Sequence, residues 1–365
     1  MAGKPGRSPI SAVRSNLDQK NQMKSRALLA CMLASLAGLF VPEMALPKWY
    51  KGNTHSHSVN SDGDSSPDEV ARWYKEHGYN FVVLTDHNFN TDVRGINALL
   101  AAREKYLVLS GEEVTDVFKP DADHSFPLHL NALNIGQRDG PRTIAVAGGA
   151  GRLEILQKNA EAIDQAGALP QVNHPNFGWA VGVDELFGLK NCLLFELRNV
   201  STDCNNLGGG GLPGTEALWD SVLTRGRLVF GVASDDAHEF KVWGSEYSNP
   251  GGGFIRVRAD SLEAGALMES LKKGDFYSST GVTLTDVKIT DSSYTVEVEE
   301  NGRTRYTTFF IGRGGKLLAE ISDNPAVYRY TGRESYVRAK VVDSNGREAW
   351  TQPHFTGAEK KPGTR

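Results

Sequence analysis

Downstream of residue 46 the chain alternates short apolar runs with helix-like stretches. Seven runs read as strands: "KWYKGNTHSH", "NFVVLTDH", "YLVLSGEEV", "HLNALNI", "ALPQVNHP", "CLLFELRN" and "RLVFGVASDDAH". Between them, "SPDEVARWYKEHG" (residues 66–78) has a proline and acids at its start and a glycine at its end, as a helix should. The stretches "TDVRGINALLAAREKY" (91–106) and "LEILQKNAEAIDQAG" (153–167) are two further helices. Strand, helix, strand in repetition predicts a parallel sheet, and seven units predict a closed α/β barrel. From about Val282 the period changes to two. "TLTDVKITD", "SYTVEVEENGRTRYTTFFIG", "AVYRYT" and "SYVRAKVVDSNGREAWTQ" alternate apolar and polar residues and carry hairpin-type Asn-Gly turns. The expected domains are an N-terminal extension with an export signal or anchor (1–46), a barrel (47–281), a small all-β, sandwich-like domain (282–356) and a disordered tail (357–365).

Charge and the N-terminus refine this picture. Six basic and two acidic residues fall in 1–46, so the net −4 of the 365-residue chain hides a body at −8. An acidic body argues against a nucleic-acid surface. "KSR" followed by "ALLACMLASLAGLFV" (27–41) has the form of a signal peptide and is short for a membrane span of ~20 residues. A start at Met23 gives a conventional leader. The expected location is therefore exported, periplasmic or extracellular, with membrane contact only through the signal or an uncleaved anchor. Of three cysteines, Cys31 lies in the leader, and Cys192 and Cys204 are candidates to pair in an oxidising compartment. The glycine runs at 208–211 and 251–253 lack the context of a phosphate-binding loop.

Metal-competent residues then fall in a pattern. Six of the strand-like runs end in or carry one: His55 and His57 in the first, His87 in the second, Glu112 and Glu113 in the third. The fourth starts near His129, the fifth ends at His174, and the seventh at Asp236 and His238. Asp62 follows the first run. Parallel strands bring their C-terminal ends to one face, so these residues converge. His55 and His57, like Asp236 and His238, stand at i and i+2, one side of an extended chain. Six of nine histidines placed this way, with carboxylates, point to a zinc, manganese or iron centre. His77 reads as a helix-end residue, and His124 and His354 as solvated or structural. No nucleophile elbow is present, and neither downstream cysteine neighbours a motif histidine.

The ordered set "HSH", "SDG", "LTDH", "GEE", "HLNAL", "NHP" and "SDDAH", over residues 49–238, resembles the PHP (polymerase and histidinol phosphatase) superfamily of metal-dependent hydrolases, in particular secreted bacterial members. The resemblance implies a distorted (β/α)7 barrel holding two or three divalent metals. It assigns His55, His57, a bridging glutamate and Asp236 to one metal, and Asp62, His87 and His238 to a second. A third would share the glutamate and add His129 and His174. The family pattern selects Glu113 over Glu112 and Asp236 over Asp235. It implies hydrolysis of a small phosphate mono- or diester by a water activated between the metals. Asp236 or His238 would shuttle a proton, Arg198 is the candidate cation for phosphate, and Asp86 would orient ligands. Two alternatives remain: hydrolysis of carboxylic ester, carbamate or amide bonds, and a non-catalytic metal-binding surface module. Arginines or lysines around the metals favour phosphate; an apolar pocket favours neutral esters. Substrate identity, the particular metal and the oligomeric state are not legible in the chain.

Overall fold

The computed structural model describes residues 1–3 and 48–356. The leader, Met23, Cys31 and the 357–365 tail lie outside the described residues. No helix among the described residues is long and apolar enough to cross a membrane.

Strand β1 (Lys48–Asn53) runs parallel to β2 (Phe81–Leu84), and β2 to β3 (Leu107–Phe118). β4 (Phe126–Leu133) lies antiparallel to both β3 and β5 (Leu169–Val172). β5, β6 (Leu194–Asn199) and β7 (Phe230–Ser234) are parallel again. The all-parallel expectation thus fails at β4. Residues 119–125 are too few for a crossover, which needs roughly a dozen, so β3 and β4 form a hairpin. The reversal carries the start of β4 to the face where the other strands end.

The ring closes only at that face. Ser56 and Ala237 form a parallel bridge, the His57 N–H donates to the Ala237 carbonyl at 2.9 Å, and the Asp236 N–H donates to the His55 carbonyl at 3.1 Å. On its other side β1 pairs antiparallel with β8 (Phe254–Ala259), which pairs with β9 (Phe276–Ser279).

The helices are α1 (Pro67–Glu76), α2 (Arg94–Leu100), α3 (Arg152–Gln165), α4 (Val183–Gly188), α5 (Thr215–Thr224) and α6 (Ala264–Lys273). A Ser66–Glu69 capping box and Pro67 start α1. The stretch expected to be helical over 91–106 yields only α2, because Ala101 is extended and Ala102 bridges Tyr106. β2 is buried on both faces. Phe81 and Val83 pack with Leu109, Leu133 and Val232, while Val82 and Leu84 pack against Val70 and Tyr74 of α1. Such a strand reads as a continuous apolar run.

The C-terminal strands form two layers. β10 (Leu284–Ile289), β11 (Ser293–Val298) and β14 (Ala326–Arg329) make one sheet. β12 (Tyr306–Gly312), β13 (Lys316–Ile321), β15 (Tyr336–Asp343) and β16 (Glu348–Thr351) make the other, with β17 (His354–Phe355) paired to β15. Tyr294, Val296, Phe310, Val337, Ala339 and Val341 fill the space between. Asn345-Gly346 turns a true hairpin from β15 to β16. Asn301-Gly302, which reads as a hairpin in the sequence, instead carries the chain from one layer to the other. β16 pairs with β9, so hydrogen bonding runs without a break from the barrel into the β-rich segment.

Candidate metal centre

The first two imidazoles leave β1 just past its end. The Asn53 side chain accepts from the His55 N–H at 2.9 Å and donates to the Gly253 carbonyl, fixing the turn into the site. Ser56 between them is held by Thr85, and both rings enter one cluster with centroids 5.1 Å apart. At the other side of the closure, β7 stops at Ser234. Asp236 adopts φ 51°, a left-handed conformation that aspartate tolerates better than most residues. The extended i, i+2 geometry expected for Asp236 and His238 is therefore replaced by a bend, with Asp236 and Asp235 turned to different environments. Asp236 faces the imidazoles. Asp235 accepts from Tyr74 and from the Gly251 and Gly253 amides, and burial pushes its carboxyl up to about 6.

Glu113 is the centre of the cluster and is wholly buried. Its Oε2 lies 3.3 Å from His55 Nε2, 3.3 Å from His57 Nε2 and 3.0 Å from His87 Nδ1. Its Oε1 lies 3.0 Å from His129 Nδ1 and 3.2 Å from His174 Nε2, and accepts from Asn173 at 2.9 Å. Asp236 Oδ1 sits 3.1 Å from His55 Nε2 and 3.0 Å from His57 Nε2. Asp62 comes in from the loop, with His238 Nε2 at 3.4 Å and His87 Nε2 at 3.5 Å. Glu112 points away, accepts from the Ile144 N–H, and is pushed up to about 7 by burial.

Three donor sets result, each with its atoms within 4.8 Å of one another: His55, His57, Glu113 and Asp236; His57, Asp62, His87 and His238; and His87, Glu113 and His129. His55 Nε2 and Glu113 Oε2 are buried without a hydrogen-bond partner, although each lies close to groups of the other kind. Lone pairs converging on common points without bonding one another suit a cation between them. The geometry fits more than one metal ion. One difference from the expected grouping is that the third set contains His87, while His174 stands beside Glu113 and 4.0 Å from Asp236 Oδ2. Burial works against ionisation of Glu113, but the surrounding imidazoles of His55, His87 and His129 outweigh it and hold the carboxyl well below its usual range. Asp236 is held low in the same way by His55 and His57.

Around this core the structure adds partners that the sequence reading missed. Glu196, wholly buried on β6, accepts from His55 Nδ1 at 2.7 Å, from the His174 N–H at 2.6 Å and from Asn199 at 2.8 Å, and Ser234 also donates to it. It thereby leaves His55 Nε2 as the atom facing Glu113 and Asp236. Asn199 also donates to Asp236 Oδ2 at 3.0 Å. Arg198, singled out on the same strand, does not line the cavity beside the cluster and has a buried Nε without a hydrogen-bond partner. A β-bulge between Glu196 and Arg198 breaks the alternation, so the strand's polar contribution to the centre is Glu196 and Asn199. An acid inside the apolar run "LLFEL" was the available signal. Asp86 accepts from the Ser58 N–H and from the hydroxyls of Ser58, Ser61 and Thr91, which shapes the loop carrying Asp62.

The cluster opens into a cavity of about 320 Å³. Asp62, His87, Glu113, His129, His174, Asp236 and His238 form its floor, and Phe177, Ser201–Cys204, Glu239 and Ser248 its walls; no lysine or arginine lines it among the described residues. Cys204 lies at this cavity, whereas Cys192 is buried in the core beside Phe195 and Leu197. Both are free thiols, so the pairing expectation is not met. His77 ends α1 and stacks on Trp73 at 3.8 Å, and exposed His124 pairs with Asp121.

No protein-family model matches the chain, and no curated protein matches it in sequence. Among solved structures it is similar to a two-domain protein from Bacteroides vulgatus containing a "predicted PHP-like metal-dependent phosphoesterase". That match has 13% identity and a TM-score of 0.45, and covers 88% of this chain and 95% of that one. A provisionally assigned metal-dependent phosphoesterase from Bifidobacterium adolescentis matches at 16% identity and TM-score 0.36, over 56% of this chain and 91% of that one. An amidohydrolase from Chromobacterium violaceum, with bound sulfate and no metal, matches at 16% identity and TM-score 0.35, over 52% and 88%. Likenesses this loose carry no argument about function, which rests on the geometry above.

Proposed function

We propose that this chain is an exported metal-dependent phosphoesterase of PHP type, acting on a small phosphate mono- or diester. The observation that carries the reading is the overlap of three donor sets at one buried carboxylate, Glu113. Two or three divalent ions, zinc, manganese or iron by donor type, would supply a nucleophile from water at neutral pH and Lewis-acid neutralisation of the phosphoryl oxygens. His55, His57, Glu113 and Asp236 would hold one, Asp62, His87 and His238 another, and Glu113 and His129 a third, between His87 and His174. Glu196 orients His55, and Asn199 ties Glu196 to Asp236. His238 borders the cavity and donates from Nδ1 to the Asp236 carbonyl at 2.9 Å, so Nε2 is the atom that would bind the metal beside Asp62. Acting as proton shuttle would require His238 to leave that metal, and Asp236 is less suited still, because both its oxygens are engaged.

A second reading, hydrolysis of a carboxylic ester, carbamate or amide, is favoured by one observation: among the described residues the walls offer no arginine or lysine to a phosphate. The deciding experiment uses one metal-loaded sample, with metal content measured, against panels of phosphoesters and carboxylic esters. Turnover of phosphoesters, lost with bound metal in His57→Ala and Glu113→Gln, supports the first reading. Turnover of carboxylic esters alone supports the second. Neither activity in a metal-replete sample removes both.

A further inference from the structure

Two asparagines belong to the segments that carry the metal-competent residues but stand outside the donor sets: Asn131 in "HLNAL" and Asn173 in "NHP". Both are buried. Glu113, Asn131 and Gln171 are register partners across β3, β4 and β5, so they form one polar row on the inner face of the barrel. Asn173 follows just past the end of β5, two residues beyond Gln171.

Hydrogen bonds join this row to the turn before the first histidine. The Thr54 carbonyl accepts from Asn131 Nδ2 at 3.0 Å, and Asn131 Oδ1 accepts from Asn173 Nδ2 at 2.9 Å. The same Nδ2 donates to Glu113 Oε1 at 2.9 Å, and Asn173 Oδ1 accepts from Gln171 at 3.3 Å. A backbone carbonyl can only accept. Thr54 therefore makes Asn131 present its Nδ2 to β1 and its oxygen to Asn173, and Asn173 must then offer its own Nδ2. Flipping either amide sets oxygen against oxygen. The end of this chain of constraints is a donor held against one oxygen of Glu113. The two oxygens of that carboxylate thereby become unlike. Oε1 has one acceptor position taken by a neutral amide. Oε2 has no hydrogen-bond partner, although it is buried and three imidazole nitrogens lie 3.0 to 3.3 Å from it.

We propose that Asn131 and Asn173 are positioning residues for the metal centre: the amide pair fixes the rotation of the Glu113 carboxylate and reserves Oε2 as the oxygen shared between metal ions. The inference rests on the metal-centre reading and is independent of which bond the centre hydrolyses.

The test is chelator competition for manganese on the full chain, without turnover. Asn173→Ala should weaken binding by roughly ten-fold or more. Asn131→Ala, one step removed, should weaken it by about five-fold, the scale of one net hydrogen bond. In the double variant the two losses should fall well short of multiplying, because Asn131 acts through Asn173. Asp220→Ala, which removes a buried ion pair on α5 outside the donor sets, is the control for lost stability alone and should bind manganese as the wild type does. Electron paramagnetic resonance at equal manganese loading gives a second readout: the exchange-coupled signal of ions sharing Glu113 should lose intensity to the isolated-ion signal in Asn173→Ala. Folded variants that bind as tightly as the wild type, losses that multiply, or a coupled signal that is absent from the wild type or unchanged in the variant overturn the inference. If Asn173→Ala does not fold, Asn131→Ala decides by the same two readouts. A wild type that binds no manganese removes the metal-centre reading, and this inference with it.

Discussion

Glu113 shows how one residue organises a centre. Five imidazoles reach its two oxygens from β1, β2, β4 and β5, and Asn173 fixes its Oε1 side. Behind this shell Glu196 sets the tautomer of His55, as carboxylates commonly do for metal-binding histidines. Glu196→Ala should weaken metal binding by roughly 10- to 100-fold, read by chelator competition, with Glu196→Gln recovering part of the loss. Equal affinity in both variants and wild type would remove Glu196 from the centre. Protons compete with metal at the same donors. Burial lowers the pKa of His87 and His238, but Glu113 and Asp62 outweigh it and raise them to about 10 and about 9, from 6.5. A raised histidine pKa stabilises the metal-free fold fully below about pH 6.5, and that stability is lost as pH rises through 9 to 10. The metal-free protein should therefore melt at lower temperature at pH 9 than at pH 7. Metal affinity should rise over the same interval, because the displaced protons are held less tightly. Calorimetric melting with and without metal across that range tests both signs.

At the scale of elements, two departures from regularity build the site. The β3–β4 hairpin reverses one strand, and the left-handed backbone at Asp236 bends the chain after β7. Both place a side chain where a regular parallel barrel would not. A third elemental contact lies away from the site. On α5, Asp220 binds Arg338 of β15 through two bonds, Nε–Oδ1 at 2.8 Å and Nη2–Oδ2 at 2.7 Å, and also accepts from Tyr336. Glu216 adds Lys340 at 2.6 Å. Arg338 is only 1% exposed, and without Asp220 it keeps only the longer contact to Glu216 at 3.4 Å, so a buried charge is left poorly paired. Asp220→Ala is expected to cost about 3 kcal/mol in urea unfolding, whereas loss of an exposed, solvent-screened pair such as Arg94–Asp92 should have a much smaller effect. A smaller effect at Asp220 than at Asp92 would contradict this account.

The whole molecule joins these parts. The sheet that begins at β13 passes through β16 and β9 into the barrel, and Tyr336 and Trp350 belong to the same apolar core as α3 and α5. The β-rich segment thus covers barrel surface. A chain ending at residue 281 should lose cooperative unfolding and solubility, since β9 would expose an open edge and Trp219 its packing partners. A soluble truncated protein with an unchanged melting temperature would show instead that the barrel stands alone. Adding a chelator to the metal-loaded full chain should lower its melting temperature by mass action, and readdition of metal should restore it.

Sequence alone was enough to mark the donor residues, since imidazoles and carboxylates at the ends of apolar runs stand out against any core requirement. It also supplied α1 and α3, whose caps and periodicity are local. Pairing is not local, and there the chain was ambiguous: the direction of β4, the layer change at Asn301-Gly302 and the shortness of α2 depend on partners distant in sequence. The resemblance selected Glu113 over Glu112 and Asp236 over Asp235, and the backbone agrees, turning Glu113 and Asp236 to the imidazoles and the adjacent acids away from them. Glu196 in place of Arg198 followed from a bulge that no alternation pattern records. Composition and spacing determined which chemistry the chain carries. Only the tertiary structure decided which oxygens and nitrogens meet, because that depends on register, and register is set by the packing of the whole sheet.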